Sequence, residues 1–308
     1  MNFSDEYEKT ALHLTAIRLL TDKTNKSKKR YKLRHVNFDE LKKISSSAAL
    51  VLTAELSKWN DSIRNNLTPY TDNWDKDILH QLHDLGFFHL FKKTKLPINN
   101  TETTKNINLV KYIKGSCGDS KKTATLKSEL QRLVGDKISK WAFLHSGLTE
   151  AITNVSHHAY PQNRNFVEKE KNWYLTGSYN KEANELKISF YDQGIGIPKS
   201  LPESEVWEKI LSMTAIVGIG KGMLDETLLS AAMEMDRTST GENDRGKGLQ
   251  DLLEFIRQRK EGYLTVISRH GLYRLLIREG KEIVKKHSFR TPLKGTLIIW
   301  NVSLTDSG

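Results

Sequence analysis

Beyond residue 105 the chain carries its hydrophobic residues in a fixed order, one strand-like run, then helical period, then strand period. That order limits the available folds more than any other feature. INLVKYI is strand-like, while TLKSELQRL and the longer DKISKWAFLHSGLTEAITNVSHHAY repeat apolar residues at helical spacing. NWYLTGSYN and ELKISFYD then alternate around a polar turn, as a hairpin does, and GYLTVISR, LYRLLIRE and GTLIIWNVSL add strands rich in β-branched residues. Helices followed by antiparallel strands predict an α+β sandwich: one mostly antiparallel sheet covered on one face by helices. The Gly-containing stretch 198–245 falls between two of these strands and reads as irregular, a place for a mobile lid.

The first third reads as a separate, smaller α/β unit. VNFDELKKI predicts a short strand and turn, SSSAALVLTAELSKW a helix opened by hydroxyl caps, and WDKDILHQLHDLGFFHLF an amphipathic helix ending near Gly86. Thr94 to Lys105, with Pro97, paired Asn and several Thr, has no hydrophobic period and reads as a linker. The expected division is 1–95 for an adaptor, 96–119 for a linker with a leading strand, and 120–303 for the larger domain. At 308 residues, two domains also agree with ordinary domain size. No repeat of fixed period argues for a solenoid or propeller.

Charge and cysteine content narrow the class. A single Cys117 permits no internal disulfide and no cysteine-pair zinc site, which excludes a stapled secreted scaffold. The acidic start MNFSDEYEKT and the lack of a long apolar run predict a cytoplasmic protein with no membrane span. The net charge of +11 favours polyanionic partners. Within 22–35, Lys23, Lys26, Lys28, Lys29, Arg30, Lys32 and Arg34 stand against the single Asp22, a contact for nucleic acid or simply a solvated run.

Three segments carry chemistry. In the long predicted helix Glu150, Asn154 and His158 recur at i, i+4 and i+8, placing a carboxylate, an amide and an imidazole on one stripe, with His157 off it. Such a stripe is either an active-site face or an exposed helix edge. In YDQGIGIP, Asp192 ends a strand and Gly194 and Gly196 follow. The glycines allow a sharp turn close to a flat ligand, and the carboxylate can accept from an exocyclic amine, although an ordinary turn has the same pattern. In GENDRGKGLQDLLEFIRQ, Gly241 to Lys247 resembles the start of a P-loop, but Gly248 stands where a Ser or Thr is needed, and no strand precedes it. What remains is a Gly-rich turn with Arg245 and Lys247 feeding a helix N-terminus, an anion site or a plain helix start.

Together the segments resemble the boxes of the GHKL family, the histidine-kinase-like ATPases with the Bergerat nucleotide-binding fold. LTEAITNVSHHAY is similar to the N box in the form found in bacterial anti-sigma-factor serine kinases, YDQGIGIP to the first glycine box and DRGKGL to the second. Gly295 and Thr296 in KGTLIIW resemble the closing Gly-Thr strand. The resemblance covers about residues 120–303, in family order. It implies that Asn154 ligates Mg2+ on the ATP phosphates and that Glu150 polarises the attacking water or hydroxyl. It also implies that Asp192 receives the adenine amine with Thr296 in support, and that Gly194 and Gly196 shape the adenine turn. Arg245, Gly246, Lys247, Gly248 and Leu249 would surround the phosphates at the helix start, with His158 nearby.

The first unit resembles the STAS fold of anti-sigma-factor antagonists through VNFDELKKISSSAALVLTAEL and DILHQLHDLGFFHLF. That resemblance puts Ser46 or Ser47 in the place of a phosphoacceptor. Ser45 stands where Asp is usual and Ala48 where Gly is usual, and N-capping also accounts for the serines. The expected function is a Mg-ATP-binding regulatory protein that hydrolyses ATP or phosphorylates a protein Ser/Thr. The alternative is a non-catalytic ATP-gated switch exposing a partner or nucleic-acid surface. A STAS-like or other regulatory protein is the expected partner, and a homodimer is open. The phosphoacceptor motif of a sensor histidine kinase and the transducer domain of a topoisomerase or chaperone clamp are both missing from the sequence.

Overall fold

The computed structural model describes residues 1–26, 35–92, 106–117, 119–135, 138–164, 166, 170–204, 207–216, 224–235 and 248–304. The chain forms two compact units, one of residues 1–112 with 176–183 and one of 113–175 with 184–308.

In the first unit, α1 (Tyr7–Lys26) occupies a stretch for which the hydrophobic pattern predicts no element. It packs on α2 (Ser46–Ser57), which is buried on every side from Ser47 to Leu56. A helix buried all round has to be central. The hydroxyl cap expected there is present: Ser45 accepts from the Ala48 N–H at 3.3 Å. The strand predicted from VNFDELKKI is reduced to β1 (His35–Val36), which pairs in parallel with β2 (Thr68–Pro69). The short α3 (Asp61–Arg64) lies between them. The second predicted helix is α4 (Lys76–Leu85), started by the Asp75 side chain and stopped by Gly86 at φ 86°. Only glycine takes that left-handed position cheaply. A 3-10 turn, Phe87–Leu90, then packs its aromatic rings against Phe38, Trp74 and Phe91. INLVKYI divides into β3 (Ile107–Leu109), paired with residues 178–180 in this unit, and β4 (Ile113–Ser116), which belongs to the second.

The second unit is mixed α+β, an open antiparallel sheet covered by helices. The predicted hairpin forms as β5 (Asn172–Asn180), of which residues 176–180 count with the first unit, and β6 (Glu185–Asp192). Strand order runs β4, β5, β6, β8, β7, with β7 (Gly262–Arg278) and β8 (Lys281–Ser303) last in the chain. GYLTVISR and LYRLLIRE are one strand, not two. β7 passes through register shifts between Ser268 and Gly271, with Arg269 at φ 55°. There it coils back, so that the Arg274 guanidinium donates to Thr265 Oγ1 at 2.7 Å and covers the Tyr263 ring.

Helices form the layer over the sheet. α5 (Thr123–Val134) precedes α6 (Trp141–Asn154), and α6 packs against α10 (Gly248–Arg259). Gly147 permits their close approach, because a Cβ there would meet the Asp251 carbonyl at 3.0 Å. Ser146 donates to Asp251 at 2.9 Å, and the Trp300 indole donates to the Leu252 carbonyl at 2.8 Å, fixing α10 to the sheet. The stretch expected to be irregular is largely helical in its described parts: α7 (Ile197–Ser200), a 3-10 turn at Leu201–Glu203, α8 (Trp207–Ile216) and α9 (Asp225–Glu234). These surround a small core of Leu201, Ile210, Leu228, Ala232 and Met235, and burial of those residues is what orders the segment.

Candidate functional site

The chain does not continue from α6 as a regular helix. At Val155–Ala159 it widens into a π turn. A π turn spends an extra residue per turn, which displaces the i, i+4, i+8 stripe. His158 remains on the site, and His157, expected to lie off the stripe, joins it there. The two rings meet edge to face at 5.9 Å. The His158 ring keeps a solvent-exposed edge, yet protein crowds enough of it to lower its pKa, through burial first and the His157 ring second.

Both histidines line a cavity of about 750 Å³ in the second unit. One wall is the end of α6, where Asn154 Nδ2 donates to Glu150 Oε1 at 2.7 Å. The floor is apolar, from Phe190, Leu252 and Ile298. Asp192, Gly196 and Thr296 also line it, as do the apolar Ile197, Leu201, Ala232 and Met235 of the 197–235 helices. Leu249, in the first turn of α10, also reaches it. Pockets of this volume, mostly apolar with a few convergent polar groups, suit a small-molecule ligand.

Asp192 is buried at 4% exposure, with one carboxylate oxygen accepting the Gly194 N–H at 2.8 Å. Its backbone pairs across the ladder with Thr296. Gly295, at φ 75°, passes directly over it: a Cβ there would lie 2.0 Å from the Asp192 carbonyl. The loop that follows is held from two sides. Gly194 sits against Ala159 of the π turn, and the Ile195 N–H donates to the Ala159 carbonyl at 2.9 Å. Gly196, at φ 85°, sits against Ser268 and Arg269.

Several residues that fix this geometry escaped the sequence reading. Ser268, fully buried, accepts the Ile197 N–H at 2.9 Å, donates to the Gly295 carbonyl at 3.2 Å and lies 3.0 Å from Thr296 Oγ1. One signal was available: strand alternation places Ser268 on the inward face after Leu264 and Val266, where a hydroxyl needs a partner. Tyr160 is buried, donates to the Asn172 carbonyl at 2.8 Å and accepts the Gln193 N–H at 3.2 Å. Burial, then the Asp192 carboxylate, push its phenol well above the usual range. Asp225, at the start of α9, accepts from Arg269 Nε at 3.0 Å and from the His270 N–H at 3.2 Å, tying the helix to the β7 bulge.

Of the residues singled out from sequence, Glu150, Asn154, His158, Asp192, Gly196, Leu249 and Thr296 share this cavity, with Gly194 immediately behind it. Gly248 opens α10. Arg245, Gly246 and Lys247 lie outside the described residues, as does most of the basic run. Ser46 and Ser47 belong to the first unit, where the Ser46 hydroxyl accepts from Ser178 at 3.0 Å and Ser47 is buried at 3% exposure. Among the described residues no helix is long and apolar enough to cross a membrane, and no group of three or more His, Cys, Asp or Glu could hold a metal ion.

Comparison with protein-family models finds no matching family, and comparison with curated proteins finds no match.

Proposed function

We propose that the second unit binds Mg-ATP in this cavity, with a Bergerat-type arrangement of the GHKL kind, and passes the terminal phosphoryl group to water or to a protein Ser/Thr hydroxyl. One observation carries the reading. Four segments far apart in sequence, around residues 150–158, 192–196, 248–249 and 295–296, meet on or against a single cavity. Their chemical groups differ in the way a nucleotide requires.

The chain's own residues divide the work. Asp192 already accepts one backbone N–H, and a carboxylate has further lone pairs for an exocyclic amine. Thr296 is oriented by Ser268 and completes the polar rim beside Asp192. The chemistry of Asn154 suits a hard cation: its amide oxygen would hold Mg2+, with the Glu150 carboxylate one turn away. Bound there, Mg2+ would neutralise charge on the phosphate oxygens. Glu150 is then the group that accepts a proton from the attacking hydroxyl, and its contact with the Asn154 amide orients it for that task. The N-terminal end of α10 offers a positive dipole end to an anion, with Arg245 and Lys247 just before it in sequence. The first unit acts as a STAS-like adaptor for a regulatory protein.

Calorimetric titration with Mg-ATP tests the binding assignment. Asp192→Asn removes a charge-assisted hydrogen bond and should weaken affinity about 10- to 150-fold; equal affinity in both proteins rejects the adenine assignment. Labelled phosphate then separates the chemistry. Glu150→Ala should retain binding and lose both phosphate release and phosphoprotein formation. Binding by the wild type without either product, in the presence of protein partners, identifies a non-catalytic ATP-gated switch.

A further inference from the structure

The distal part of the β7–β8 hairpin leaves one strand edge open. Its turn is Glu279–Gly280, with φ of 53° and 71°, the left-handed pair that closes a type I′ hairpin. Arg278 and Lys281, which flank the turn, therefore exchange both ladder hydrogen bonds. The alternation repeats at Leu276 with Ile283, Arg274 with Lys285 and Leu272 with His287. Residues 282, 284, 286 and 288 consequently turn their N–H and C=O groups away from β7. On that side the sheet neighbour of β8 is β6, and β6 reaches only from Thr296 to Ser303. Among the described residues no strand covers Val284, Lys286 or Ser288, which makes this edge a template for pairing. It is also held in place. Lys286 pairs with Glu234 of α9 at 3.0 Å and Glu282 with Arg257 of α10 at 2.9 Å, while Tyr273 and Leu275 of the adjoining strand are fully buried.

We propose that residues 281–288 of β8 receive an extended acidic peptide as an added strand. Charge selects the occupant. Lys281, Ile283, Lys285 and His287 share the other face of the strand and are all exposed, Ile283 at 43%. The ion pairs of this strand use Glu282 and Lys286, and leave Lys281 and Lys285 with no carboxylate partner among the described residues. A peptide with carboxylates opposite Lys281 and Lys285 and an apolar side chain between them, opposite Ile283, matches that face. Lys281 to Lys285 spans about 14 Å at about 3.4 Å per residue, so five residues of peptide suffice. A second copy of the chain is the wrong occupant, because edge-to-edge pairing crowds the lysines of both copies together. Nucleic acid would meet the lysines but has no amide ladder to offer Val284, Lys286 and Ser288.

Fluorescence anisotropy of the full chain with a labelled peptide, in which glutamate, isoleucine and glutamate alternate with threonine, tests the proposal. The wild type should bind with a Kd below about 1 mM. Lys281→Glu combined with Lys285→Glu reverses two cross-strand pairs and should weaken binding about three- to thirtyfold. A peptide with lysine in place of glutamate should prefer this variant to the wild type. Val284→Pro deletes an outward N–H at an edge position that tolerates proline, and should weaken binding with an unchanged far-UV circular dichroism spectrum. In an added strand only alternate backbone nitrogens face β8. Of two peptides, one methylated on the threonine nitrogens and one on the others, one should therefore lose binding and the other keep it. No binding by the wild type, equal binding of the two methylated peptides, or indifference to the double charge variant overturns the proposal. A DNA duplex that binds at these lysines in place of the peptide overturns it in favour of nucleic acid.

Discussion

Replacing Gly194 by Ala tests the junction on which the cavity depends. Gly194 needs no positive φ; its constraint is space. A Cβ built there lies 2.4 Å from the Ala159 carbonyl oxygen and 2.5 Å from the Ala159 Cβ, both atoms of the π turn that carries His157 and His158. Ordinary carbon–oxygen contacts begin at about 3.3 Å, so the 192–196 loop and the π turn must separate by roughly 1 Å. Overpacking of this kind costs about 1–3 kcal/mol. The separation also stretches the hydrogen bond from the Ile195 N–H to the Ala159 carbonyl, a further loss of about 0.5–1.5 kcal/mol. Together these give about 2–4 kcal/mol, which for a unit of this size lowers the thermal midpoint by about 5–15 °C. Circular dichroism melting measures it. Gly280→Ala is the control: its φ is 71° but nothing lies within 4 Å, so strain of about 1 kcal/mol is the only cost. Equal midpoints for Gly194→Ala and wild type, or a larger loss in the control, refute the close-approach argument.

Two other perturbations follow from the same geometry. Ser268→Ala removes the hydroxyl shared by the Ile197 N–H, the Gly295 carbonyl and Thr296, and should cost about 1–3 kcal/mol in urea unfolding; an unchanged midpoint would show that the shared hydroxyl contributes nothing. His158 has a folded pKa below its unfolded value of about 6.5, so the unfolded chain binds the extra proton first as pH falls. Stability should therefore decline as pH drops through about 6.5 and stop declining, as far as this group is concerned, below its folded pKa. His158→Gln should flatten that decline in urea titrations across the window, and an unchanged slope would assign the pH dependence elsewhere.

What was legible in the sequence was what neighbouring residues decide among themselves. Alternation in NWYLTGSYN and ELKISFYD specified the β5–β6 hairpin, Ser45 and Gly86 marked helix ends, and Glu150 and Asn154 at i, i+4 were bound to meet. Helix α1 was illegible because Leu12, Leu19 and Leu20 on its exposed side blur the amphipathic period that its buried side would otherwise show. KEIVKKHSFR, residues 281–290, lacks strand alternation because it is mostly exposed, and takes its strand form from the ladder with 271–278 of β7. The same limit applies to the helical character of 197–235, which rests on the shared core of Leu201, Ile210 and Leu228.

The sequence by itself therefore determined the α+β order, the helix ends and the carboxylates, amide and imidazole that line the cavity. Tertiary structure decided which of those groups are neighbours. It ended α6 in a π turn that brings His157 to the cavity, carried Gly295 over Asp192, and buried Ser268 and Tyr160 where their hydroxyls hold the loop. The reason is range. Periodicity and capping act within a turn or two of chain, whereas the approach of Gly194 to Ala159 or of Thr296 to Ser268 exists only after strands and helices distant in sequence have packed.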